Sequence, residues 1–344
     1  MKYIIDIPHE KCNKISRLIK EGKYESVSQF ALTAVENQLL LEESFEERLD
    51  RVIATPSTRE KKMNYTGEFG HDELLSLGFV SSDIKTVSPP TPDRIPNDVL
   101  WGQYNRIFPI KITMRVLANL LPGKKIIDLA LLHSQAISAA REIGIILKKK
   151  DEEQGRKYGN MLSAALPTGK SVLKAENRFM NHFVGYLTRA GRIEGAPGAL
   201  KLLNISDDPK GVSKVGITKE GLLFASLENP VIDRNQFSAT LGEDEREFYL
   251  RHIQENLERE KEAMFLVLKE IKEGASSPTE LNSRVSVLSR GWSEAMTNTI
   301  RAGIVSRLIE LGLIDRQRDG IKVNYILTDY GVAILASSEK EGGI

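Results

Sequence analysis

The residues able to do covalent or metal chemistry are few, and their spacing does not suit it. Thr168-Gly169-Lys170-Ser171 ends like a phosphate-binding loop, but the first glycine of such a loop falls at Ala164 and no strand pattern precedes it. His9, His71, His133, His182 and His252 are scattered, without the short intervals that bring two ligands to one metal ion. His182 stands among aromatics and reads as a packed or surface residue. Cys12 is the one cysteine, so no intrachain disulfide can form. With Ile15, Leu18 and Ile19 it falls on one apolar helix face, as a buried small hydrophobe. Neither a Gly-x-Ser-x-Gly elbow nor a dinucleotide fingerprint occurs. The sequence thus predicts no catalytic residue, no metal and no cofactor.

A different chemistry is better supplied: side chains that hydrogen-bond planar polar edges and phosphates. It is concentrated in residues 244–338. Ser277-Pro278-Thr279-Glu280 is a capping box with proline at the first helical position, a strong helix start. That helix carries Leu281, Val285 and Leu288, and Gly291 turns the chain. Ser293 then caps a helix in which Met296, Ile300, Ile304 and Leu308 recur every four residues, and Gly312 ends it. Arg318-Asp319-Gly320 suits a tight hairpin, beyond which Ile321, Val323, Tyr325 and Leu327 alternate. Helix, helix, turn, helix and hairpin, closing on Leu327-Thr328-Asp329-Tyr330-Gly331, resembles prokaryotic, archaeal-type winged-helix DNA-binding domains. The resemblance implies that the helix after the turn enters the major groove, where base edges are distinguishable. Opposite its apolar stripe lie Glu294, Thr297, Asn298 and Arg301, and Asn and Arg suit paired contacts to bases. In the hairpin, Arg316, Arg318 and Lys322 are the phosphate candidates.

The first 41 residues alternate as a strand over 2–7, stop at Pro8, form a helix over 10–20 and turn at Gly22. A second helix opens at Ser26-Val27-Ser28-Gln29. This order resembles the ribbon-helix-helix superfamily, which implies a dimer whose paired strands form a ribbon. The outward ribbon residues are Lys2, Ile4 and Asp6, a set in which only Lys2 attracts phosphate. The amides near Ser28 can hold a phosphate at the helix start. Dimerisation is the stronger expectation for this segment.

The middle block, residues 99–240, reads as helical, with helices over 110–121, 127–153 and 176–188, a short one over 199–203, a strand over 212–217 and a helix over 218–229. It looks like a second, divergent winged helix. Its phosphate candidates are Arg189 and Arg192 in the turn, Lys201 at the end of the recognition helix and Lys210 at the wing tip. A helical scaffold without DNA contact is the competing reading. Residues 244–272 read as one long charged helix. Trp101 and Trp292 read as packing anchors, and Lys148-Lys149-Lys150, followed by three acids, as a solvated helix end.

The elements place these groups on a mainly α chain with small β ribbons. Residues 1–48 form the ribbon-helix-helix unit, 49–98 a Pro-rich linker, 99–240 the helical domain, 241–338 the winged helix and 339–344 a tail. The 48 basic and 47 acidic residues nearly cancel, so affinity for a polyanion must come from local clusters. That argues against a histone-like coating protein. Asp6 interrupts any leader-like apolar run, and no stretch approaches the roughly 20 apolar residues of a membrane span, which places the chain in the cytoplasm, with the nucleoid. The expected function is a sequence-specific binder of double-stranded DNA, a homodimeric transcriptional regulator without enzymatic activity. Its alternatives are an architectural or segregation protein and a protein-interaction adaptor. No small-molecule effector is legible.

Overall fold

The computed structural model describes residues 9–20, 26, 27, 30, 77, 78, 80 and 83–340, apart from 97, 158, 170, 289, 290, 320 and 321. The chain divides into two compact units, Met1–Gly67 and Glu68–Ile344. In the first, helix α1 (His9–Lys20) forms where expected. Ile15 is buried, but Cys12, expected inside, is only half-buried. The ribbon residues Lys2, Ile4 and Asp6, Ser28, and the dimer contacts of residues 1–48 lie outside the described residues.

The second unit is mainly helical with small antiparallel sheets. Its first half runs α2 (Phe108–Leu120), β1 (Ile127–Asp128), α3 (Leu129–Glu153), α4 (Val172–Phe179), β2 (Tyr186–Leu187), β3 (Ile193–Glu194), α5 (Ala196–Ala199), β4 (Leu203–Asp207), β5 (Ser213–Ile217) and α6 (Lys219–Ser226). The second half runs α7 (Glu243–Asn256), α8 (Glu258–Lys272), α9 (Pro278–Val285), α10 (Glu294–Glu310), β6 (Ile314–Asp319), β7 (Lys322–Leu327) and α11 (Asp329–Lys340). Three expectations change. The long helix over 244–272 breaks at Leu257, whose ψ of 69° is not helical. The helix expected over 176–188 begins at Val172, widens into a π turn over Met180–Val184, and stops at Gly185, whose φ of 101° suits glycine. Leu187 is therefore a strand residue, and residues 189–192 form a hairpin turn rather than the turn between two helices. Residues 83–96, expected as part of the linker, are docked: Val87 N–H donates to Ile217 O at 2.8 Å, and Arg94 donates to Gly191 O, Asn204 Oδ1 and Ile205 O.

The two halves share a junction. In each, the helix before the long hairpin ends on a left-handed residue, Lys201 with φ 57° or Gly312 with φ 73°. The next amide then reaches back five residues, from Leu202 to Pro197 O and from Leu313 to Leu308 O, both at 2.9 Å. After each hairpin a threonine caps the following helix: Thr218 Oγ1 accepts from Gly221 N at 3.1 Å, and Thr328 Oγ1 accepts from Gly331 N at 3.0 Å. A third strand or residue pairs on the outer side of the second hairpin strand in both halves. It is β1 on β5 in the first, and Ser276, which accepts from Tyr325 N at 2.9 Å, in the second. The halves differ in the segment before the hairpin. The first holds α3, α4, β2, β3 and a single turn of helix, α5, where the second holds only α9 and the long α10.

Helix α2 is buried along almost its whole length, including Lys111 and Arg115. Both cations serve the C-terminal end of α6, where carbonyls lack helical partners. Lys111 Nζ donates to Phe224 O and Leu227 O at 2.6 Å and pairs with Glu245 at 2.9 Å. Arg115 donates to Ala225 O and Leu77 O, and grips Asp233 with two nitrogens at 2.7 and 2.8 Å. Burial pulls the Lys111 amine down to about 8, against the opposing pull of Glu245.

Three histidines are held neutral by burial. His133 Nε2 hydrogen-bonds Gly185 O at 2.8 Å, His252 Nε2 hydrogen-bonds Leu200 O at 2.7 Å, and burial lowers the pKa of both. Burial lowers His182 from 6.5 to about 4, and Arg178 nearby pushes the same way. As pH falls below 6.5 the unfolded chain takes up protons that these rings refuse, so they withdraw stability progressively, for His182 down to about pH 4. In a histidine-ring NMR titration, His182 should show its midpoint near 4; a midpoint near 6.5 would contradict its burial.

Candidate nucleic-acid interface

Helices α9 and α10, the turn between them and the hairpin β6–β7 carry the groups singled out in the sequence. Ser277 and Glu280 form the expected capping box on α9: Glu280 N donates to Ser277 Oγ at 3.3 Å, and Ser277 N to Glu280 Oε2 at 2.9 Å. Ser293 caps α10 by accepting from Met296 N at 3.2 Å. Gly291 takes φ 92° in the turn, and Val287 there is 73% exposed.

The apolar stripe of α10 is buried as expected, at Ile300, Ile304 and Leu308. A second face beside this stripe, for which the sequence set no expectation, is covered as well. Gly303 meets Gly102 so closely that a Cβ would stand 2.6 Å from Gly102 O, and Gly102 in turn presses on Thr299 O. Arg307 is fully buried and donates to Glu260 Oε1 and Tyr104 O. Glu310 accepts from the amides of Ile107 and Phe108 and from Thr240 Oγ1, so it caps α2. The C-terminal half of α10 is therefore a core helix, and only its first turns are open.

The predicted contacts divide accordingly. Thr297 is 7% exposed and its hydroxyl donates to Ser293 O, so it does not face outward; this corrects the expectation. Asn298 and Arg301 are half-buried and share one partner: Asn282 of α9 donates to Asn298 Oδ1 and accepts from Arg301 Nε at 2.9 Å. Tyr325 on β7 also bonds Arg301, and burial lowers the pKa of that guanidinium against the pull of Tyr325. Arg316 does not extend from the hairpin. Its guanidinium lies against Gly159, where a Cβ would fall 1.9 Å from Nη1. Arg318 and Lys322 are exposed on β6 and β7.

In the first half, Arg189 and Arg192 are exposed at the β2–β3 turn, and Lys210 is exposed at the β4–β5 turn. Lys201 is committed inside: its amine donates to Asn256 O at 2.8 Å, at the end of α7. The short helix expected over 199–203 ends at Ala199 instead, because Lys201 is left-handed and Leu203 already belongs to β4; all four residues of α5 are buried.

No protein-family model, curated protein or solved structure matches the chain. Among the described residues, no helix is long and apolar enough to cross a membrane, and no group of histidine, cysteine and carboxylate residues is placed to hold a metal ion. Sequence reasoning missed the buried charges Arg307 and Glu260 and the half-buried Glu310. One signal was present: a glycine mid-helix costs about 1 kcal/mol against alanine, so Gly303 marks a close approach.

Proposed function

We propose that residues 258–340 form a winged helix that binds duplex DNA, and that the chain acts as a DNA-binding regulator without catalysis. The observation that carries this reading is the Asn282–Asn298–Arg301 cluster on the open end of α10, bonded across two helices. Amide and guanidinium groups held in fixed geometry suit paired contacts to base edges. The exposed Arg318 and Lys322 supply phosphate contacts from the wing. With the C-terminal half of α10 buried, DNA meets the helix at its N-terminal turns, the end that touches bases in helix-turn-helix proteins. The first half has the same junction and strand order but a buried one-turn helix in place of a reader. It is a second, divergent winged helix serving as scaffold. Dimerisation through residues 1–48 would present two readers to one site and raise a modest single-site affinity.

Fluorescence anisotropy on genomic fragments, with a salt titration, tests the reading. Binding should weaken steeply with salt, because phosphate contacts release counterions. Asn298→Ala with Arg301→Ala should cost about 1–3 kcal/mol on the preferred sequence and relax discrimination. Arg318→Ala with Lys322→Ala should weaken all sequences alike and reduce the salt slope by roughly 2. Affinity indifferent to salt overturns DNA binding. Salt-dependent affinity equal for every sequence leaves an architectural or segregation role in place of a regulator.

A further inference from the structure

A cavity of about 390 Å³ opens between the segment before α2, the π turn, the β2–β3 hairpin and α10. Its size falls in the range of about 300–1,000 Å³ typical of small-molecule sites. Every lining residue that carries charge at neutral pH is acidic: Asp98, Glu194 and Glu260, with no lysine or arginine. His182 also lines it, and burial keeps that ring neutral at ordinary pH. Glu260 is engaged by Arg307 and the Leu100 amide, which leaves exposed Asp98 and half-buried Glu194 as the counter-charges. Trp101, Tyr104 and Tyr186 supply aromatic surface, and Met296 and Ile300 of α10 supply an apolar wall. Trp101 is 39% exposed, unusual for so large a ring.

The frame around the cavity is unusual in its backbone. The π turn carries Asn181 and His182, and single π turns recur at functional sites. It ends where Gly185 and Gly195, with φ 101° and 110°, pass so closely that a Cβ on Gly195 would fall 2.5 Å from Gly185 Cα. Tyr104 braces this crossing, its hydroxyl accepting from Gly195 N at 3.0 Å, and its ring lies 5.9 Å from that of His182. Only glycine adopts this backbone readily, and the close crossing leaves no room for a side chain at the rim of the cavity.

We propose that this cavity binds a small organic cation, an amine carried on a flat apolar body. Carboxylates draw the ammonium to one side, and aromatic faces attract cations and cover the apolar part. The proposal is independent of DNA binding.

Ligand-observed NMR titration of the full chain tests it with three probes of one shape: phenethylamine, phenethyl alcohol and phenylacetate. The amine should saturate and bind at least about tenfold tighter than the acid. Glu194→Gln should weaken the amine about tenfold and leave the alcohol unchanged, since it removes charge and keeps shape. Trp101→Leu should weaken amine and alcohol together. Urea midpoints establish that each variant is folded, and Asp98→Asn carries the charge test if Glu194→Gln is not. An acid that binds as tightly as the amine, or an amine that fails to saturate by about 10 mM, overturns the proposal.

Discussion

Replacing Arg307 by methionine should cost the second unit about 3–5 kcal/mol, the penalty for breaking a buried ion pair from one side. The guanidinium is fully buried, with Nε 3.0 Å and Nη2 2.5 Å from Glu260 Oε1, and Nη1 2.8 Å from Tyr104 O. Glu260 is equally buried, and its other oxygen accepts from Leu100 N at 2.9 Å. Methionine removes the cation and leaves a carboxylate in apolar surroundings, where burial already raises its pKa. The two ends of the pair come from α8 and α10, and the Tyr104 and Leu100 contacts tie in the segment before α2. Loss of the pair should therefore loosen the halves of the unit together. Urea unfolding measures it, with an unchanged slope if only stability moves. The double variant Arg307→Met with Glu260→Gln should recover at least about 1 kcal/mol, because a neutral amide still accepts from Leu100 and carries no charge to bury. A single variant within about 1 kcal/mol of the parent would show that this pair does not hold the halves.

Alanine at Gly331 or at Gly221 should each cost about 3 kcal/mol, the upper part of the usual range for overpacking. A Cβ at Gly331 would fall 2.0 Å from Leu313 O, and at Gly221 1.9 Å from Leu202 O. Both obstacles are backbone carbonyls, not side chains that rotate away. Each is also engaged: Leu313 O accepts from Thr328 N at 3.1 Å, and Leu202 O accepts from Thr218 N at 3.0 Å and from Thr218 Oγ1 at 2.9 Å. Making room means pulling apart the cap that starts the next helix. Ala302→Gly, at an exposed position of α10, is the control and should cost only about 1 kcal/mol. If either alanine variant unfolds within about 0.5 kcal/mol of the parent, the close helix–hairpin approach is wrong there.

How far these features were legible follows from the range of the interaction behind each. Ser277 and Glu280, Ser293, Gly312 and the alternation 321–327 act over a few residues, so the second half of the unit could be read directly. In the first half, the threonine cap at Thr218 and the turn at Lys210-Gly211 were as local and as readable. The π turn was not, because helical spacing of Phe179, Phe183 and Leu187 looks the same whether or not the helix stops at Gly185. Residues 83–96 have linker composition, yet the hydrogen-bond partners of Val87 and Arg94 stand about a hundred residues away, at Ile217, Gly191 and Asn204.

Residue types and short spacings determined α9, α10, the β6–β7 hairpin and the candidates Asn298, Arg301, Arg318 and Lys322. Tertiary structure alone decided which of the candidates face outward. Period-four spacing identifies one apolar stripe on α10 but is silent about the faces beside it, because a charged residue is as periodic inside a core as on a surface. Gly102 against Gly303 and Glu260 on Arg307 cover the flank beside the stripe, and Gly159 under Arg316 covers part of the hairpin, all from distant parts of the chain. Burying those charges is tolerated only because each partner arrives from elsewhere in the fold. The same convergence joins Asp98, Glu194 and Met296 around one cavity.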